Sequence, residues 1–350
     1  MKRKVSAIVC GVIIAAMMLS FTASAAEKFD LKFSIAGSST IRMSKIWNEW
    51  AEKVTEATDG NVTFTFYYDS TLLDANSAYQ QLLSGVADIG DVHCFEDDGF
   101  IVAEKWKGLT LGTPIPAQTE MSKQLFSEFE ELQNEYKDVH YLAMGFDGGS
   151  YQLLTVNKEV HSVDDMKGLV IWCEAGFNDF FKALGATPVN TPWAEVYSSL
   201  QKNMYDGLFI AAETLESVNF AEVCKYVTMV NLNYLAGPGH MMNLNTYNKL
   251  PDEYKAVIDD PELQAWVEGQ LFESSHSSEA EGIQWAVENR GTKVIEISDE
   301  EHQKFVDVLN ESKAGMVEEL DKKGVPGTEI LNRIVELSAE YSSAPETEAE

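Results

Sequence analysis

The sequence predicts an α/β protein built as two lobes, each around a mixed, mostly parallel sheet. Three observations carry that prediction. Strand-like and helix-like segments alternate from Leu31 onward in a βαβαβ order, the pattern of parallel strands joined by crossover helices. The alternation resumes beyond Asp147-Gly148-Gly149, a turn suited to a lobe boundary. The chain has 350 residues, 45% of them hydrophobic, which is enough for two cores at about 150 residues per domain.

The N-terminus is set apart from the fold. Met1-Lys2-Arg3-Lys4 precedes an apolar run from Val5 to Phe21, and Ala23-Ser24-Ala25 forms a small-x-small cleavage site. Residues 1–25 therefore read as a secretory signal peptide, which places the mature chain in the periplasm. The 26 Lys plus Arg stand against 56 Asp plus Glu, a net charge of -30; losing Lys2, Arg3 and Lys4 takes it to -33. That balance excludes nucleic-acid binding, which is driven by cationic side chains that displace counterions.

In the first lobe, Leu31 to Ala36 alternates as a strand, and Met43 to Thr58 places Ile46, Trp47, Trp50, Val54 and Ala57 on one helical face. Val62 to Tyr68 reads as a second strand, Ala75 to Ser84 as a helix and Ala87 to His93 as a third strand. A long acidic helix is expected over Gln118 to Tyr136, then one strand from Val139 to Phe146. Beyond the turn, Tyr151 to Asn157 and Leu169 to Cys173 are strands and Phe177 to Leu184 is a helix. Thr191 is the expected N-cap, with Pro192 at N1, of a helix through Lys202. Leu208 to Ala211 returns as a strand. From Pro251 the chain is helical to Arg290 with a break near Pro261; a strand follows at Lys293 to Ile297, and Ser298 to Glu301 is a capping box for another long helix.

Catalytic signatures are scarce. The sequence has no HExxH, GxSxG, GxxxxGK[ST] or GxGxxG. Cys94, Cys173 and Cys224 are odd in number and lack CxxC spacing, so they read as small buried hydrophobes rather than a metal or disulfide set. The pairs Glu213/Glu216 and Glu279/Glu281 read as solvated helix surface. Neither an enzyme, a metal site nor a cofactor is expected.

One set of motifs is more specific. Asp164-Asp165-Met166-Lys167-Gly168-Leu169-Val170-Ile171 is followed by Leu184-Gly185-Ala186-Thr187-Pro188-Val189, then by Trp193-Ala194-Glu195-Val196-Tyr197-Ser198-Ser199-Leu200-Gln201 and Tyr205-Asp206-Gly207. Tyr79 to Ile89 and Asn245 to Pro251 add to the pattern. In order and spacing these resemble the periplasmic solute-binding subunit of tripartite ATP-independent periplasmic (TRAP) transporters, of the dicarboxylate-binding type.

The resemblance implies a periplasmic binding protein clamp that closes on a small molecule between its lobes and delivers it to the TRAP permease membrane subunits. It implies a long C-terminal helix bracing both lobes, a role that suits Pro261 to Arg290. Lobe I is then 26–149 plus about 240–275, and lobe II is 150–239 plus about 276–340. Residues 341–350 form an acidic tail too poor in apolar residues to order itself, and a monomer is expected.

The departures from the family pattern bear on the ligand. The strand matching Leu169 to Trp172 usually ends in an arginine that grips a carboxylate, and here Trp172 stands there. A second arginine, common in the preceding strand, falls near Gln152 with Tyr151 beside it, and the asparagine of DGxEN becomes Ile210. The expected ligand is therefore an aromatic, neutral or cationic compound rather than a simple aliphatic carboxylate. Expected contacts carried over by position are Trp172, Glu174, Phe177, Trp193 and Phe209 from the second lobe. Ser38, Ser39, Asp91, His93, Tyr151 and Gln152 complete the set. Arg42 reads as a solvated helix start. The alternatives are the binding protein of an ATP-driven importer and a secreted α/β hydrolase; the latter lacks a nucleophile with a base at a recognisable spacing.

Overall fold

The computed structural model describes residues 27–342 apart from 75–76, 111–114 and 147–148. The expected signal peptide, the turn at 147–148 and residues 343–350 lie outside the described residues.

The first lobe opens with β1 (Phe29–Ser34), α1 (Arg42–Ala57), β2 (Val62–Tyr67), α2 (Ala78–Leu83) and β3 (Ile89–Asp91). β1 pairs in parallel with both β2 and β3, as a βαβαβ order requires. Ile46, Trp47, Trp50, Ala51 and Val54 of α1 are buried and join Leu31, Phe33 and Ile35 in one cluster. The helix expected over Gln118–Tyr136 is two helices, α3 (Ile115–Glu128) and α4 (Glu130–Glu135), because Phe129 between them takes extended angles (φ -110°, ψ 113°) and turns onto a neighbouring apolar cluster.

The single strand expected over Val139–Phe146 is also two, β4 (Val139–Tyr141) and β5 (Met144–Phe146), which belong to different sheets. The break at Leu142 and Ala143, both buried, is where the chain leaves the first lobe.

The second lobe holds β6 (Gly149–Thr155), β7 (Val170–Trp172), α5 (Asn178–Ala183), β8 (Thr187–Val189), α6 (Trp193–Gln201), β9 (Gly207–Ile210), α7 (Thr214–Ser217) and β10 (Tyr226–Tyr234). Thr191 does not cap α6. Pro192 takes that place, and Thr191 instead accepts hydrogen bonds from Trp172 Nε1 at its carbonyl (3.0 Å) and from the Tyr205 hydroxyl at its Oγ1 (2.9 Å).

The return to the first lobe runs through β11 (Gly237–Pro238) into β12 (His240–Asn243), α8 (Leu244–Lys249) and α9 (Asp252–Ile258). The chain then enters α10 (Pro261–Arg290), β13 (Lys293–Glu296), α11 (Asp299–Lys322) and α12 (Gly327–Ser342). The strand orders are β2-β1-β3-β12-β4 and β13-β10-β6-β9-β7-β8, and β5 and β11 pair with each other as a separate antiparallel ribbon. That ribbon is the double crossing between the lobes.

Helices reinforce it. In α10, Asp260 caps the first turn with both Glu262 and Leu263 N–H groups at 2.9 Å, and Gly291 ends the helix at φ 70°. Val267 and Leu271 pack with α1, whereas Ile283, Trp285 and Ala286 pack with the second-lobe core. α11 crosses in the opposite direction: Phe305 and Leu309 join the second-lobe core, and Met316, Val317 and Leu320 join a first-lobe cluster. Two helices therefore brace the lobes where one was expected. The assignment of 276–340 to the second lobe also needs correction. Ile330, Ile334 and Leu337 of α12, one apolar stripe at helical spacing, pack with Leu125 and Phe126 of α3 in the first lobe.

Candidate ligand-binding cleft

The crossings fix which strand ends meet. β7 and β8 are parallel to β9, and β6 runs antiparallel to β9 with Gln152 opposite Ile210. The carboxyl ends of β7, β8 and β9 thus lie beside the start of β6, at the end of the sheet nearest the ribbon. In the first sheet, the ends of β1 and β3 lie beside the start of β12, with Asp91 opposite His240. The carboxyl ends of strands from both lobes flank the crossing, where α/β proteins place ligands.

The lobes approach closely beside it. A Cβ on Gly108, in the turn 103–109, would lie 2.3 Å from the Gly176 carbonyl oxygen, so only glycine permits this backbone contact. The same turn holds the crossing chain through Trp106 Nε1 to the Ala236 carbonyl (2.8 Å) and Thr110 Oγ1 to the Asn233 carbonyl (2.7 Å).

The expected contacts separate into surface, brace and core. At the end of β7, Trp172 is only 7% exposed; its ring lies against Trp193 with centroids 5.3 Å apart, and Trp193 is 45% exposed at the start of α6. Trp193 in turn meets Phe220 edge to face at 5.5 Å. The open aromatic surface is therefore Trp193 rather than Trp172. Glu174, two residues past β7, accepts a hydrogen bond from the Tyr151 hydroxyl at 2.8 Å.

Phe177 and Phe209, expected as contacts, are each 1% exposed in the second-lobe core, with ring centroids 5.0 Å apart. Residues 207–210 of β9 are all buried, and Phe209 packs against Phe180 and Phe181 of α5, so it points into a core and not along the strand to its end. Tyr151, 3% exposed, packs its ring against Phe209, Phe177 and Tyr234 and brings only its hydroxyl towards Glu174.

Gln152, fully buried, donates from Nε2 to Glu279 Oε1 (2.7 Å) and Asn231 Oδ1 (2.8 Å), and its Oε1 accepts the Asn231 N–H (2.9 Å). Both amide hydrogens are used inside the protein, so Gln152 braces the site instead of touching a ligand. Asn231 meets it from a bulge in β10, at φ 48°.

In the first lobe, Asp91 is not available as a counter-ion. Its Oδ1 lies 2.6 Å from His240 Nε2, at 8% and 1% side-chain exposure, and its Oδ2 accepts the Ala36 N–H at 2.9 Å. Burial raises its pKa, but the His240 charge and hydrogen bond, the Ala36 N–H and His93 outweigh that, and the carboxyl is held below the usual carboxylate range. The pair pins the loop after β1. On that loop Ser38 Oγ pairs with Thr40 Oγ1 (2.9 Å), Ser39 is exposed, and the exposed His93 stands past β3 with its ring 6.5 Å from Phe95. Cys173 is buried, and burial pushes its thiol up to about 12, which removes it as a nucleophile.

Sequence reasoning missed the part played by α10. Glu279 holds Gln152, and Arg42 of α1 reaches Ser277 Oγ and both carboxylate oxygens of Glu281 (2.8 and 3.1 Å). A Cβ on Gly282 would lie 2.8 Å from the Glu213 Cα. Residues 277–282 are thus held by the first lobe through Arg42 and by the second through Gln152 and Glu213. Arg42 and Glu281 are exposed, at 43% and 61% of their side chains, as a solvated helix start and helix surface, and they pair with each other; Glu279, partly buried against Gln152, departs from the solvated reading. These partners lie more than 100 residues apart in sequence, and no local pattern announces them.

Two α/β lobes joined by a crossing ribbon and braced by helices, with strand ends gathered at the crossing, define a two-lobed solute-binding clamp. The profile of "Bacterial extracellular solute-binding protein, family 7" matches residues 33–320, and the chain belongs to that family. Its structure is similar to that of a periplasmic TRAP solute-binding protein of Desulfovibrio salexigens DSM2638, with TM-score 0.72 and 27% identity over 92% of this chain and 99% of that one. It is also similar to a marine metagenome TRAP solute-binding protein specific for aromatic acid ligands, with TM-score 0.79 and 21% identity over 91% and 100%. Among curated relatives, the C4-dicarboxylate-binding protein of Bacillus subtilis strain 168 is 23% identical over 280 residues, 75% of each chain. The protein is an extracytoplasmic solute-binding subunit of the TRAP type, from a family that binds rather than transforms its ligand. That assignment replaces both the ATP-driven importer and the hydrolase readings.

Proposed function

We propose that this protein captures a small organic solute between its lobes and passes it to the TRAP permease membrane subunits, and that it holds the solute by aromatic stacking and polar contacts rather than by an arginine–carboxylate clamp. The observation that carries this reading is Trp193, 45% exposed over Trp172 at the end of β7, where the family pattern sets its arginine. A half-open indole beside a strand end is an apolar surface awaiting a partner. The surrounding charges agree with it. Glu174 and Glu279 accept hydrogen bonds from Tyr151 and Gln152, and Arg42 is engaged by Glu281. The relatives named for C4-dicarboxylates and aromatic acids share the clamp; the ligand class differs here because the grip differs. Closure then follows from a ligand that makes more contacts in the closed state than in the open one.

A thermal-shift screen of the purified protein against aliphatic carboxylates, neutral aromatics and amines tests the reading. A ligand at 100 times its Kd adds roughly 2.7 kcal/mol, readily seen as a rise in Tm. Shifts confined to aromatic, neutral or cationic compounds are expected. A shift with succinate of the same size would refute the proposal.

A further inference from the structure

We propose that Gly108 is a positioning residue for solute capture: its backbone contact with Gly176 sets how closely the two lobes approach, and a side chain at 108 holds the clamp open. The inference concerns closure and not the chemistry of the solute, so it stands or falls apart from the stacking reading. Three observations converge.

The first is what demands glycine at 108. A Cβ there would lie 2.3 Å from the Gly176 carbonyl oxygen and 2.8 Å from its carbonyl carbon, backbone atoms of the other lobe that no change of rotamer moves aside. Neither Gly108 nor Gly176 takes a left-handed φ, so alanine suits the backbone at both positions. The third close neighbour, the Met316 methyl at 2.8 Å, is the tip of a flexible side chain and can give way. The constraint on 108 therefore comes from the opposite lobe.

The second is where the contact sits. The turn 103–109 buries Trp106 and Leu109 in a first-lobe cluster, and it is fixed to the crossing chain through Ala236 and Asn233 and to α11 through Lys105 and Glu319 at 3.2 Å. The facing turn, Ala175–Phe177, follows the end of β7 and is anchored in the second-lobe core by Phe177. Ordinary contact begins at 3.4 Å, so a methyl group at 108 parts the two turns by about 1 Å, on the side where β7 runs out towards the cleft.

The third is how narrow the contact is. Beside it lies a cavity of about 280 Å³, with Glu96, Glu104, Lys105 and Glu319 on one wall and Asp179 and Lys182 on the other. Lys105 pairs with Glu96 and Glu319, and Lys182 pairs with Asp179, so each of these ion pairs stays within its own wall. The lobes thus meet backbone to backbone next to open space, and can rock on that point without breaking these pairs. Apparent affinity falls with the fraction of the protein able to close.

The test reads the lobe separation directly, by double electron–electron resonance between nitroxides on Glu52→Cys of α1 and Lys202→Cys at the end of α6, both exposed positions, in a Cys94→Ser background where Cys173 and Cys224 are buried. Gly108→Ala should lengthen the mean distance by about 1 Å or more. Gly176→Ala, whose Cβ meets Gly108 N at 3.3 Å, should lengthen it less, and Gly269→Ala, whose Cβ meets nothing within 4 Å, should leave it unchanged. Benzamide, benzamidine and succinate are then titrated, and whichever shortens the wild-type distance should bind Gly108→Ala about tenfold more weakly. Gly176→Ala carries the distance test if Gly108→Ala fails to fold. Distances in the Gly108 and Gly176 variants that match the Gly269→Ala control, or an affinity that Gly108→Ala leaves intact, overturn the inference while leaving the stacking proposal standing.

Discussion

Lys313 offers a quantitative test of how the two lobes are joined. It lies on α11 between Leu309, in the second-lobe core, and Met316, in a first-lobe cluster, and is 1% exposed. Its ammonium is met by the Leu309 carbonyl (3.3 Å) and Asn310 Oδ1 (2.9 Å), both neutral. Neighbouring carboxylates are occupied elsewhere, Asp179 by Lys182 and Glu319 by Lys105 and Lys323. Burial therefore pushes the Lys313 ammonium down from 10.5 to about 7. Because the native value lies below the unfolded one, the unfolded chain binds the extra proton between pH 7 and 10.5, and the native state gains stability as pH rises through that window. Below about pH 7 the cost of burying the charge is fully present; at about 1.4 kcal/mol for each pH unit between the two values it reaches some 4 to 5 kcal/mol. From pH 7 to 9 the residue should contribute about 2 kcal/mol of added stability. Lys313→Met keeps the apolar stem and removes the titration. Urea unfolding of both proteins at pH 7, 8 and 9 should show Lys313→Met more stable at pH 7, with an advantage that shrinks by about 2 kcal/mol at pH 9. Parallel pH profiles would refute the reasoning.

Two further outcomes follow from the same geometry. Gly282→Val should destabilise the protein by roughly 1–3 kcal/mol, because its Cβ meets the Glu213 backbone at 2.8 Å; chemical denaturation measures it, and an unchanged midpoint would mean that α10 is not tightly seated there. Asp91→Asn removes the buried carboxylate that accepts the Ala36 N–H and faces His240, at a cost of roughly 1–3 kcal/mol. Since the native Asp91 pKa is depressed, its contribution is present above the ordinary carboxylate range and is lost as pH falls through the native value, so the variant should show a flatter loss of stability in acid than the wild type.

The sequence made the lobes legible and left most of the site obscure, for a physical reason. Alternation and helical stripes report burial, and burial is what builds β1, α1, β2 and the second sheet; Trp47 and Trp50 were readable as core from spacing alone. The same signal does not separate the cleft from the core, because both are lined by aromatics. Phe177 and Phe209 lie at the right places in the chain but face the interior, and of the paired tryptophans it is Trp193, not Trp172, that is open. The polar residues of the site depend on partners distant in sequence. Gln152 and Glu279 are 127 apart and Arg42 and Glu281 are 239 apart, separations at which only the folded chain brings them together. Breaks such as Phe129 and Leu142–Ala143 were missed because both stay apolar and continue the pattern of their neighbours while the backbone changes direction.

The central claim is that an open tryptophan, in place of an arginine, grips the solute, and calorimetric titration of the best compound from the thermal screen into wild type and Trp193→Ala tests it most directly. Covering the exposed 45% of Trp193, about 100 Å² of a side chain that offers roughly 150–250 Å², at about 25 cal/mol/Å² is worth about 2 kcal/mol. The account predicts that Kd rises about thirtyfold in a variant that still unfolds cooperatively. An unchanged Kd would contradict it.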